Sequence, residues 1–129
     1  MSFSKLSSIH LYAFEPHLVD IEIDLSRGLN AFSIVGLPDK AVEEAKDRIS
    51  AAIKNSGFDS PKSKNHKVVI SLAPADLRKE GSNFDLPMAL AYLLSSGDMK
   101  FDPQGKVFIG ELSLDGTLRP IKGALPLVI

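Results

Sequence analysis

The chain contains no cysteine, only three histidines, no excess of either charge, and no apolar run near the roughly 18 to 20 residues that a membrane-spanning helix needs. Without cysteine there are no disulfides and no thiolate metal sites, which accords with a reducing compartment. His10, His17 and His66 lack the short spacings of a ligand pair, so no metal centre is expected and they read as strand-face or loop residues. Fifteen lysines and arginines against sixteen aspartates and glutamates leave a formal net charge of -1. Such a balance exerts no general pull on nucleic acid, so any DNA contact has to come from a local basic patch. The opening residues, MSFSKLSSIH, lack the apolar centre of a secretion signal, and a cytoplasmic location is expected. Internal repeats and low-complexity stretches are also missing.

What is present suffices for one core. At 129 residues, 44% hydrophobic and 24% charged, the chain has the size and composition of a single globular domain spanning 1–129. Residues 77–94, LRKEGSNFDLPMALAYLL, are the stretch around which the rest is organised. A charged loop, Arg78-Lys79-Glu80-Gly81, passes through Ser82 and Asn83 into an almost wholly apolar run. Ser82 or Asn83 is placed to cap a helix, Asp85 to meet its positive end, Pro87 to sit in its first turn, and Gly97 to stop it. A helix apolar on all sides must be covered by the other elements.

Upstream, residues 5–13 alternate imperfectly, and Val19, Ile21, Ile23 and Leu25 alternate cleanly with Asp20, Glu22 and Asp24, the signature of half-buried strands. Phe14-Glu15-Pro16 and Ser26-Arg27-Gly28 read as turns, and residues 31–35 as a third strand. After Gly36-Leu37-Pro38-Asp39 the period changes. Ala41, Val42, Ala45, Ile49, Ala52 and Ile53 recur every three or four positions, which predicts one amphipathic helix over 39–55, ended by Gly57. Residues 58–65 read as an exposed, mobile loop, 67–72 as a buried strand, and 107–112 with 117–119 as a hairpin turned at Asp115-Gly116. A further helix is expected to begin near Lys122. The order predicts an α+β fold, an α/β sandwich with helices on one sheet face. The last residues run into apolar positions with no polar tail, so the chain is expected to be a truncated fragment of a longer protein.

Four blocks carry a resemblance: Val35 to Arg48 (VGLPDKAVEEAKDR), Ser71 to Leu77 (SLAPADL), Lys79 to Leu90 (KEGSNFDLPMAL) and Gly110 to Ile121 (GELSLDGTLRPI). Together they resemble the N-terminal domain of the ComM/YifB family of magnesium-chelatase-like proteins, over nearly the whole chain. The resemblance implies the ribosomal protein S-five domain-two-like fold, shared with the Lon peptidase domain. It also implies an AAA+ ATPase module downstream, hexameric assembly, and a parent that acts as an ATP-dependent DNA helicase in recombination or natural transformation. No GxxxxGK[ST] run occurs here, so no loop is available to cradle nucleotide phosphates. The fragment is therefore expected to be no enzyme and to hold no cofactor, with ATP and magnesium bound in the parent's ATPase module.

The candidate site residues follow. Lys62, Lys64, Lys67, Arg78 and Lys79, with Lys54 and His66 near them, are the candidates for a patch that meets DNA phosphates. Lys79, Glu80, Gly81, Ser82, Asn83 and Asp85 form the candidate motif loop, and Lys46, Arg48 and Lys54 read as surface partners of Glu43, Glu44 and Asp47. A Lon-like peptidase would need a serine in this loop and a lysine base on the following helix. Matching the family loop puts Asn83 at the nucleophile position and Leu125 near the lysine position, which leaves only a shifted pair, Ser82 and Lys122. Three functions remain: a non-catalytic module that assists DNA engagement or ring assembly, a Lon-like serine peptidase, and a module that binds protein alone.

Overall fold

The computed structural model describes residues 2–12 and 15–120. Alternating apolar residues make the sheet. β1 (Ser2–Tyr12) and β2 (Glu15–Arg27) pair antiparallel from Ser2↔Leu25 to Tyr12↔Glu15, so Glu15 and Pro16, expected in a turn, are the first residues of a strand. β3 (Ala31–Val35) and β4 (His66–Ala73) complete a four-stranded sheet in the order β1-β2-β4-β3, antiparallel except for the parallel β3/β4 pair. The side chains of Val19, Ile21, Ile23 and Leu25 are wholly buried on one face with Leu6, Val68, Ile70 and Leu72. Burying each is worth about 1.5–3 kcal/mol, which fixes the register because a one-residue slip would turn the stripe to water. Asp20, Glu22 and Asp24 take the opposite face, as their alternation predicts.

The helices lie on the apolar face. The helix predicted over 39–55 is two: α1 (Lys40–Glu43) and α2 (Ala45–Asn55). The break coincides with a side-chain contact. The Ala41 carbonyl, which an unbroken helix would offer to the Ala45 N–H, accepts instead from Arg48 Nη2 at 2.8 Å. α3 (Asp85–Ser96) is the central buried helix, with Met88, Ala91 and Tyr92 sealed in the core and Gly97 stopping it at φ 86°. Its start differs from expectation. Phe84 is the capping position and no side chain caps the helix, so neither Ser82 nor Asn83 plays that part.

Residues 58–65 are anchored rather than merely exposed. Pro61–Ser63 form a 3-10 turn, Pro61 is buried, and the Asn30 amide donates to the carbonyls of Pro61, Lys62 and Lys64 at 3.2, 2.9 and 2.6 Å. Of the strand expected over 107–112, only β5 (Glu111–Leu112) pairs, with β6 (Leu118–Arg119), around a turn in which Gly116 has φ 93°. The preceding residues are used elsewhere: Val107 bridges Ser7 on the β1 edge, and Gly110 is bonded across to the start of α3. The helix expected near Lys122 lies outside the described residues. The fold is thus α+β with a mixed sheet. No helix among the described residues is long and apolar enough to cross a membrane.

Candidate functional site

Three of the four resemblance blocks meet at the end of the sheet where β3 and β4 finish. Gly36, at φ 106°, passes so close to β4 that an added Cβ would lie 2.1 Å from the Leu72 carbonyl oxygen. Only glycine permits that approach. Leu37 follows in the left-handed region at φ 55°. Beyond it Lys79 N–H donates to the Leu37 carbonyl at 3.0 Å and Asp39 N–H to the Lys79 carbonyl at 2.9 Å, so the motif loop is laced to the start of α1. The Asp39 carboxylate caps α1 through Val42 N–H at 2.8 Å and accepts from Gly81 N–H at 3.2 Å.

Lys79 itself points inward. It is fully buried, and its Nζ donates to the Gly36 carbonyl at 2.7 Å and to that of Pro74. Burial pulls its pKa below the usual lysine value, with Asp76 opposing. A sealed ammonium shared between two carbonyls ties the ends of β3 and β4 together and is withdrawn from any phosphate. The expectation that Lys79 belongs to a DNA-binding patch is therefore corrected.

Asp85, expected to answer the helix dipole at the surface, is wholly buried. Arg48 grips it with two bonds, Nε–Oδ2 at 2.7 Å and Nη2–Oδ1 at 3.0 Å, and the Leu112 N–H donates to Oδ2 at 3.1 Å. Burial pushes the Asp85 carboxyl up, against the downward pull of Arg48 and of the Leu112 N–H. The Arg48 pKa is raised, chiefly by its hydrogen bond to Asp85. Helical spacing makes Arg48 a surface partner of Glu44, yet that contact is a distant 4.0 Å. Its principal partner lies 37 residues away, a separation that helical spacing cannot reveal.

Ser82 donates its hydroxyl to the Glu111 carboxylate, whose other oxygen lies 3.5 Å from Arg119 Nε. Asn83, matched to the peptidase nucleophile position, serves through its backbone: its carbonyl accepts from Gly110 N–H at 2.9 Å, and Leu86 N–H returns to the Gly110 carbonyl at 3.0 Å. Lys122 and Leu125 lie outside the described residues. Glu80 is half exposed and 3.5 Å from Arg78. His10 packs at a tilt against Phe84 with centroids 5.5 Å apart, and burial lowers its pKa against the pull of Glu80 and Asp39.

The remaining basic candidates do not gather into one patch. Lys62 is paired with Asp47 at 2.9 Å and Lys64 with Asp59 at 3.2 Å. Both lie near the start of β4, where exposed Lys67 stands on the outer face, while Arg78 lies beyond the other end of that eight-residue strand. A cleft of about 510 Å³ beside the start of β4 is lined by Arg27, Asn30, Lys64 and His66. Arg27 was missed because the sequence places it in a turn, and only the β2/β4 register brings it opposite His66.

A mixed sheet under three helices, with glycine-bearing loops knotted at one end, thus defines an α+β domain whose motif residues are mostly internal. The chain belongs to the family described as subunit ChlI of Mg-chelatase, whose model matches residues 21–129. It is 42% identical to the competence protein ComM of Haemophilus influenzae over its full length, covering 25% of that protein. To YifB of Escherichia coli it is 43% identical over 83% of this chain and 21% of that one. To Rv2897c of Mycobacterium tuberculosis it is 35% identical over its full length, again covering 25% of the relative. The chain therefore spans about a quarter of the curated relatives it matches.

Proposed function

We propose that this chain is a non-catalytic N-terminal module of a ComM-like AAA+ ATPase, serving chiefly in assembly of a hexameric ring in the cytoplasm. The observation that supports this most is the inward turn of the motif loop. Lys79, Ser82 and Asp85 bond to Gly36, Glu111 and Arg48 within the domain and offer little chemistry to a substrate. ATP and magnesium belong to the ATPase module of the parent, since the chain has no phosphate-cradling loop. The peptidase reading is weaker, because Asn83 rather than a serine stands at the nucleophile position of the family loop, and Ser82→Ala should leave any trace of peptide cleavage unchanged.

A second reading, DNA engagement, is favoured by the basic cleft at Arg27, Lys64 and His66 with Lys67 beside it. Fluorescence anisotropy with single-stranded, duplex and four-way-junction DNA across a salt series decides between the two. The assembly reading expects no binding by folded protein at low salt. Binding whose log–log salt slope reaches about −0.9 per phosphate contact, and which Lys64→Ala with Lys67→Ala weakens, would overturn it in favour of DNA engagement.

A further inference from the structure

His10 and His17 are too far apart in the sequence to read as a ligand pair, and strand register brings them together. β1 and β2 pair antiparallel with His10 directly opposite His17. Residues paired in this way carry their side chains on one face, with Cβ atoms about 4.5–5.5 Å apart. A neighbour marks the face: Tyr12, which shares a side of β1 with His10, meets the His17 ring edge-on with centroids 6.1 Å apart. Both histidines are partly buried. Among the described residues His66 is the one histidine with a hydrogen-bond partner, Tyr92, and the buried side-chain atoms that lack one are the Ser8 and Ser50 hydroxyls. The ring nitrogens of His10 and His17 therefore reach solvent uncommitted. Glu80 and Asp39 lie near enough to act on His10 electrostatically, against Lys79 and His17. The Lys79 ammonium is turned onto the Gly36 and Pro74 carbonyls, so two carboxylates border the pair with one neutralised cation behind them.

We propose that His10 and His17 form a two-histidine site for a divalent transition ion of the zinc or nickel kind, which clips β1 to β2 near their turn. Two imidazole nitrogens bound at about 2.0–2.1 Å to a tetrahedral ion stand roughly 3.4 Å apart, a separation that rings on directly paired strand residues reach by leaning together. Imidazole suits zinc, copper and nickel, whereas magnesium and calcium take oxygen ligands, so the pair should discriminate against magnesium. No three His, Asp or Glu side chains among the described residues are grouped to hold an ion, so water completes the coordination and the ion is exchangeable. The site uses neither the motif-loop fastenings nor the basic cleft, and it stands or falls independently of the assembly and DNA readings.

The test takes the untagged chain, stripped with EDTA and exchanged into a buffer that does not ligate metals. Isothermal titration with Zn²⁺ should show one ion bound per chain, and Mg²⁺ should give no such binding. His10→Gln and His17→Gln should each weaken Zn²⁺ binding roughly a hundredfold, because the gain from two tethered ligands is lost. His66→Gln should leave it unchanged. Saturating Zn²⁺ should also raise the Tm of the unmodified chain and of His66→Gln, reversibly with EDTA, and leave that of the other two variants where it was. Circular dichroism without metal keeps a folding defect apart from a binding one. No Zn²⁺ binding by the folded chain, equal binding of Mg²⁺, binding that survives either His10→Gln or His17→Gln, or binding lost with His66→Gln would each overturn the proposal.

Discussion

The ion pair between Arg48 and Asp85 joins α2 to the start of α3 and, through the Leu112 N–H, to β5, so its removal should be felt across the domain. Removing one member of a buried pair typically costs about 3–5 kcal/mol, because the other charge is left buried and unpaired. Here the Arg48 side chain keeps 21% exposure and its bond to the Ala41 carbonyl, which places Asp85→Ala at the lower end, about 3 kcal/mol. The orphaned Leu112 N–H adds about 1 kcal/mol. For a chain of this size that total corresponds to a fall in Tm of about 10–15 °C. Urea unfolding followed by circular dichroism at neutral pH measures it.

The same reasoning separates coupling from stability. Because burial outweighs the pull of Arg48 on the Asp85 carboxyl, the pair specifies how the elements meet more than it stabilises them. Arg48→Met combined with Asp85→Leu should therefore cost less than either single change. The pH dependence has a definite sign. A carboxyl whose folded pKa is raised contributes most below its ordinary value and loses that contribution as pH rises through the raised one. Arg48→Met removes the counter-charge and raises Asp85 further, so the deficit of this variant should narrow as pH falls toward about 4. A cost below about 1 kcal/mol for Asp85→Ala would place the pair among ordinary surface pairs and refute the argument.

Two other changes bear on the knot at the sheet end. Gly36→Ala should cost about 3 kcal/mol or more and yield little soluble protein, since its Cβ meets a backbone carbonyl and φ is already positive; wild-type-like unfolding would contradict that. Lys79→Met keeps the buried volume but leaves the Gly36 and Pro74 carbonyls unpaired, so denaturant unfolding should show a loss of about 1–3 kcal/mol.

The strands were legible wherever one face meets the core and the other meets water. Val19 to Leu25 shows its alternation without help from any other part of the chain, and the φ 86° stop at Gly97 follows from residue type alone. Elements whose limits depend on distant partners were not legible. The break between α1 and α2 involves the Ala41 carbonyl and the Arg48 side chain, and Arg48 is itself held by Asp85. The caps expected of Ser82 and Asn83 failed because the helix starts only after Phe84, with the Ser82 hydroxyl turned to Glu111 and the Asn83 carbonyl to Gly110, both remote in sequence.

The candidate site divides along the same line. Its loop was visible as a cluster of charged, polar and glycine residues before an apolar helix, and family likeness marked the same positions. Whether each charge faces water was not visible. Lys62, Lys64, Lys67 and Arg78 reach the surface, whereas Lys79, adjacent to Arg78, is sealed beneath it. Local sequence, through its alternation and its turn residues, determined which segments became strands and helices, because those preferences act between near neighbours. Tertiary structure alone decided which polar groups are internal fastenings, because burial depends on what the rest of the chain lays over a residue.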